Sequence, residues 1–199
     1  MLLHAFFTTV MFLAVLAQSQ APPPPAPPAA QRAIVSAEDL AVIDAALNHK
    51  TRNALNLAKP RGRVLMLDRT LEPCANERSG IRCFGYGEKT TLYVQRTIRE
   101  ITKAHIDALV ARNAVAQFLP SAPAKDVLLV AREKLRAAME QYDANVIAST
   151  SLPAYLDDGT ALLFLEFSCG GHCGEGNFIL LKRGAEGWRV KKAAITWIS

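Results

Sequence analysis

Ala161-Leu162-Leu163-Phe164-Leu165-Glu166-Phe167-Ser168 is the stretch on which the fold turns. Side chains alternate across a strand with a period of two. Here one set (Ala161, Leu163, Leu165, Phe167) is wholly apolar, and the other opens with Leu162 and Phe164. A strand apolar on both faces belongs in the middle of a sheet. Working outward, Asn145 to Ser151 reads as the preceding strand, joined through a turn at Asp157-Asp158-Gly159. Phe178 to Leu181 reads as the third strand. Gly184 to Gly187 makes a hairpin turn into the last strand, Trp188 to Ile198. Trp188 and Val190 share one face of that strand, while Ile195 and Trp197 share the other. A one-residue bulge near Lys191-Lys192 reconciles the two phases. The expectation is a C-terminal four-stranded antiparallel meander with the N-terminal helices packed on one face, an α+β architecture.

Upstream, Ser36-Ala37-Glu38-Asp39 is a capping-box pattern, and Leu40, Ile43 and Leu47 share a helical face, so a helix is expected over 37–48. Val64 to Leu67 reads as a short strand. Pro73, Gly80, Gly85 and Gly87 mark 72–89 as an irregular loop. The even spacing of Leu92, Val94 and Ile98 reads as a strand. Thr102 caps a helix bearing Ile106, Leu109 and Val110. Val127 to Val130 is a strand or a helix lead-in, and Leu135, Ala138, Met139 and Tyr142 mark an amphipathic helix.

The N-terminus points to export. Residues 1–31 hold no Lys, Arg, Asp or Glu, and the apolar run Leu2 to Ala17 is followed by small residues at Ala17, Ser19 and Ala21. That order is a secretory signal peptide, assigned to 1–21. An uncleaved anchor is the alternative. A spanning helix needs about 20 apolar residues, and this run is shorter and broken by His4, Thr8 and Thr9. The Pro-rich linker 22–35 is an extended spacer, and 36–199 is read as a single α+β domain. The destination is periplasmic or secreted.

Outside the cytosol an even cysteine count suggests disulfides. The four are Cys74, Cys83, Cys169 and Cys173. Local pairs make loop closure easiest, although four cysteines allow three connectivities. Cys169-Gly170-Gly171-His172-Cys173 stands open to three readings: a disulfide closing a tight loop, a metal site completed by Cys74 or Cys83, or a redox-active dithiol. Gly170, Gly171, His172 and Glu175 form a candidate functional loop. Glu166 has two readings. Buried, it would have a raised pKa and act as a general acid; otherwise it faces solvent or pairs with Lys182 or Arg189. His49 beyond its helix end and His105 on the border of an apolar face read as structural. No cofactor is expected.

The formal net charge is +5, and a basic patch of Lys50, Arg52, Lys59, Arg61, Arg63 and Arg69 faces only Asp68. A second basic group, Lys182, Arg183, Arg189, Lys191 and Lys192, lies on the C-terminal strands. Such patches attract an anionic envelope surface. Nucleic acid is not expected, because the basic segment has no aromatic residue for base stacking.

Cys169-Gly170-Gly171-His172-Cys173-Gly174-Glu175-Gly176, Leu180-Leu181, Gly187-Trp188-Arg189-Val190 and Trp197-Ile198-Ser199 together resemble a C-terminal pattern of uncharacterised secreted bacterial proteins. The resemblance covers residues 145–199. It implies a bacterial exported domain and carries no catalytic residue. The leading expectation is a non-enzymatic exported domain binding another exported protein or an anionic envelope surface. The alternatives are a small hydrolase or thiol- or metal-dependent enzyme using Cys169, His172 and Cys173, and a small-ligand carrier with a pocket lined by Phe164, Phe178 or Trp197.

Overall fold

The computed structural model describes residues 34–53, 63–74, 83–156, 158–169 and 173–198. The expected signal segment, and the expected linker up to residue 33, lie outside the described residues. The elements are α1 (Ala37–Asn53), β1 (Val64–Leu67), β2 (Glu72–Cys74), β3 (Cys83–Gly85), α2 (Glu88–Thr97), α3 (Lys103–Arg112), β4 (Val127–Val130), a 3-10 turn (Arg132–Lys134) running into α4 (Leu135–Gln141), β5 (Ile147–Thr150), β6 (Ala154–Leu156), β7 (Thr160–Ser168), β8 (Gly174–Gly184) and β9 (Gly187–Ile198).

Helices and a mixed sheet make the class α+β. The sheet has seven strands in the order β4-β1-β5-β7-β8-β9, with β6 also pairing to β7. β4, β1 and β5 run parallel; β5, β7, β8 and β9 run antiparallel. The expected four-stranded meander is therefore corrected: its strands are part of a larger mixed sheet. β1 and β4 are short apolar runs whose partners lie far away in sequence, and periodicity alone does not reveal such pairings. The strand before β7 is also interrupted. β5 and β6 pair with β7 one after the other, and between them the Ser151 Oγ accepts a hydrogen bond from the Phe164 N–H at 2.9 Å.

The expectation of helices on one face is corrected too. α1 buries Val42, Ile43, Ala46 and Leu47 against Ala161, Leu163, Leu165 and Phe167, the odd face of β7. Val94 and Ile98 of the α2 segment, with Ile106 and Leu109 of α3, pack on Leu162, Phe164, Phe178 and Leu180, the even face. α4 covers Leu65 and Val130 on that same side. A strand apolar on both faces needs cover on both, and each buried Val, Leu or Ile is worth about 1.5–3 kcal/mol.

Two upstream readings also change. Residues 88–97 form helix α2, not a strand: Val94 and Ile98 lie four apart on a buried face, while Leu92 is exposed. Even spacing contains that i, i+4 pair, so it fits either structure. The supposed irregular loop 72–89 contains β2 and β3, which pair in parallel, and the start of α2. α1 runs on to Asn53, beyond the expected end. The cap at Thr102 stands, with the Thr102 N–H donating to the His105 Nδ1 at 3.2 Å. β9 carries two irregularities. One leaves Lys191 unpaired, where a bulge is expected; the other leaves Thr196 unpaired and returns Trp197 to the Phe178 side.

Candidate functional site

The cysteines form the two local disulfides. Cys74–Cys83 joins β2 to β3, with Cα atoms 5.6 Å apart. It fastens the element that delivers Phe84, whose ring lies 5.5 Å from Phe164 and 6.2 Å from Phe178. Cys169–Cys173 closes the β7–β8 hairpin, with Cα atoms 5.2 Å apart. Bonded sulfurs are not thiolates, so in this form they cannot ligate a metal. Gly170, Gly171 and His172 lie outside the described residues. Glu175 is buried and accepts a hydrogen bond from Asn177 Nδ2 at 3.2 Å. The aromatic pocket expected of a carrier is filled: Phe84, Phe164 and Phe178 are fully buried in mutual contact.

The basic residues part company. Lys59 and Arg61 lie outside the described residues, as do the side chains of Lys50 and Arg52; Arg63 and Arg69 are exposed. Each residue of the second basic group pairs with a carboxylate, five cations against four acids. Lys182 pairs with Asp158 at 3.8 Å and Arg183 with Glu38 at 3.1 Å. Arg189 pairs with Glu186, and Lys191 and Lys192 share Glu100 at 3.3 and 3.4 Å.

Past the carboxyl ends of β1 and β4 lies a cleft of about 350 Å³. Parallel strands of open sheets leave ligand crevices at that end. One wall is the continuation of β1, through Asp68, Arg69 and Thr70; the facing wall is Ala131, Arg132 and Glu133, after β4. The backbone fixes both. The Asp68 N–H donates to the Val130 carbonyl at 3.1 Å, and the Asp68 carbonyl accepts from the Leu119 N–H at 2.8 Å. Arg69 and Phe118 form a β-bridge, and the Arg69 guanidinium sits 4.0 Å above the Phe118 ring, which is 59 % exposed. The Glu72 carboxylate accepts the Ala116 N–H at 3.1 Å and holds the rim. Sequence reasoning took Arg69 only as part of a surface patch. Its partner Phe118 and the wall at Arg132 and Glu133 were missed, because the cleft needs β1 and β4 to be neighbours.

A second polar feature lies beside the disulfide hairpin. The register places Ser149, Glu166, Gly176 and Trp197 in one cross-strand row, on the face that carries α2, α3 and α4. Glu166 is 5 % exposed, and burial pushes its carboxyl up to about 7. Neither its Oε2 nor the Trp197 Nε1 finds a hydrogen-bond partner among the described residues. Lys182 and Arg189 are engaged elsewhere, so the expected pairing with either is overturned. Gly174 and Gly176 make room for the indole: a Cβ at Gly176 would lie 2.0 Å from the Trp197 Nε1.

A third polar cluster is structural. Asp39, fully buried, accepts hydrogen bonds from Arg112 Nη2 at 2.7 Å, the Tyr155 hydroxyl at 2.9 Å and the Ser36 N–H at 2.8 Å. It ties the start of α1 to the end of α3 and to β6. Burial, then the bond to Asp39, pushes the Tyr155 hydroxyl well above its ordinary value.

Among the described residues no helix is long and apolar enough to cross a membrane, and no cluster of His, Cys, Asp and Glu could hold a metal ion. No family model, no curated protein and no solved structure matches this chain.

Proposed function

We propose that this chain is an exported binding domain, braced by two disulfides, that holds a small organic ligand in the cleft past the carboxyl ends of β1 and β4. The observation that carries the reading is the cleft itself: it is walled by backbone-fixed segments and lined by Asp68, Arg69, Phe118, Arg132 and Glu133. The disulfides fit an oxidising compartment. Binding to an anionic surface has less support, because the C-terminal basic group is matched by nearby carboxylates. A thermal-shift screen of small acids, amines and zwitterions tests the proposal. One class should raise the melting temperature of the native chain and leave an Arg69→Ala/Arg132→Ala variant unmoved. If no class shifts the native chain, or the shift persists in the variant, the cleft is not the site.

A second reading is an acid–base enzyme centred on Glu166, favoured by the carboxyl held near neutrality beside an unpartnered indole N–H. In a Trp188→Phe background, Trp197 emission should titrate with a midpoint near 7 and lose that step in Glu166→Gln. A flat emission profile between pH 5 and 9 would remove Glu166 as a usable acid.

A further inference from the structure

We propose that the cleft accepts a small zwitterion, a molecule that carries a carboxylate and an ammonium group close together, as an amino acid or a short peptide does. This rests on the reading of the cleft as a ligand site. The β1 wall carries Asp68 and Arg69; the β4 wall carries Arg132 and Glu133. Each wall thus presents charges of both signs, and Glu72, engaged by the Ala116 N–H, adds a third carboxylate at the rim of the first. None of these four side chains makes an ion pair among the described residues. Other charged side chains of the described surface do find partners, as in Lys103–Asp107, Arg136–Glu140 and Arg183–Glu38.

The alternation of sign is what selects the ligand. A simple anion drawn to Arg69 or Arg132 meets a carboxylate on the same wall, and a simple cation meets a guanidinium. A molecule with both charges satisfies both walls, and none of its own charge is left uncompensated. Arg69 is already positioned by the Phe118 ring 4.0 Å away, so less side-chain freedom is lost when it binds a carboxylate. The volume of about 350 Å³ lies at the small end of ligand pockets. It suits an amino acid or dipeptide better than a polymer or a large cofactor.

Isothermal titration calorimetry on the disulfide-bonded protein, at low salt and pH 7, tests this with three probes. These are L-alanyl-L-alanine, N-acetyl-L-alanine (anion only) and L-alaninamide (cation only). The dipeptide should bind at least about tenfold more tightly than either single-charge analogue, the worth of one charge-assisted contact. Arg69→Gln and Asp68→Asn should each weaken it by a similar factor. Arg132→Gln, at an exposed position outside the sheet, supplies the same readout should either of those variants fail to fold. If one single-charge analogue binds as well as the dipeptide and loses binding in Arg69→Gln, the zwitterion assignment is wrong while the cleft remains a ligand site. If no probe binds, or if the variants leave dipeptide binding unchanged, both readings fall.

Discussion

Glu166 stands in the most heavily covered strand of the sheet, and its chemistry is set by what surrounds it. Its carboxyl is raised from 4.5 to about 7 by burial. A group whose folded pKa lies above its unfolded value stabilises fully below the unfolded value, and that contribution is lost as pH rises through the folded one. The native protein should therefore lose on the order of 2–3 kcal/mol between pH 5 and pH 8. Glu166→Gln should flatten that slope, with the gain in stability confined to the alkaline side; urea unfolding at both pH values measures it. Asp39 matters through its partners. It is fully buried and charge-paired with Arg112 at 2.7 Å. Asp39→Ala strands the guanidinium and the Tyr155 hydroxyl, and should cost about 3–5 kcal/mol in the same assay. At Gly176 the constraint is steric. Gly176→Ala places a methyl group 2.0 Å from the Trp197 Nε1, and should cost about 1–3 kcal/mol by overpacking. Trp197 emission would shift to the red as the indole is expelled, readable in a Trp188→Phe background.

Legibility differs from one element to the next. β7, β8 and β9 were open to reading because their alternation, glycine turns and phase change are local properties. The bulge at Lys191 was visible as a conflict between Trp188–Val190 and Ile195–Trp197. α1 and α3 announce themselves through caps and 3.6-residue periodicity, and α4 through periodicity alone. α2 was misread because Val94 and Ile98 satisfy both periods, and the helix start at Gly87-Glu88 carries no side-chain cap. The pairing of β1 with β4 and β5 depends on contacts between segments far apart in sequence. So does the cleft, which is why Arg69 was legible only as a charge and Phe118, Arg132 and Glu133 not at all. For Glu166 the sequence leaves a buried acid and a solvent-facing or paired carboxylate both open, because its burial and its row with Gly176 and Trp197 depend on the β7–β8–β9 register. The disulfides belong to this scale too. Cys74→Ser/Cys83→Ser opens a loop of about ten residues and should cost about 3 kcal/mol. It frees the strand that carries Phe84 into the aromatic cluster, so near-ultraviolet circular dichroism should weaken along with the melting temperature.

The molecule as a whole places α1 on one face of a mixed sheet and α2, α3 and α4 on the other. Asp39, Arg112 and Tyr155 bind the two sides together around β6. Its antiparallel half is stiffened by the hairpin disulfide, and its parallel half ends in the cleft. That division separates a stable frame from an open, charged crevice, the arrangement expected where a rigid scaffold positions a binding site. The most direct measurement is a ¹⁵N-resolved NMR titration of the disulfide-bonded protein with L-alanyl-L-alanine. Binding in the cleft predicts saturable shifts confined to the amides of Asp68 to Leu71, Ala116 to Phe118 and Ala131 to Glu133. Shifts centred instead on the Glu166–Trp197 row, or no saturable shifts at all, would contradict it.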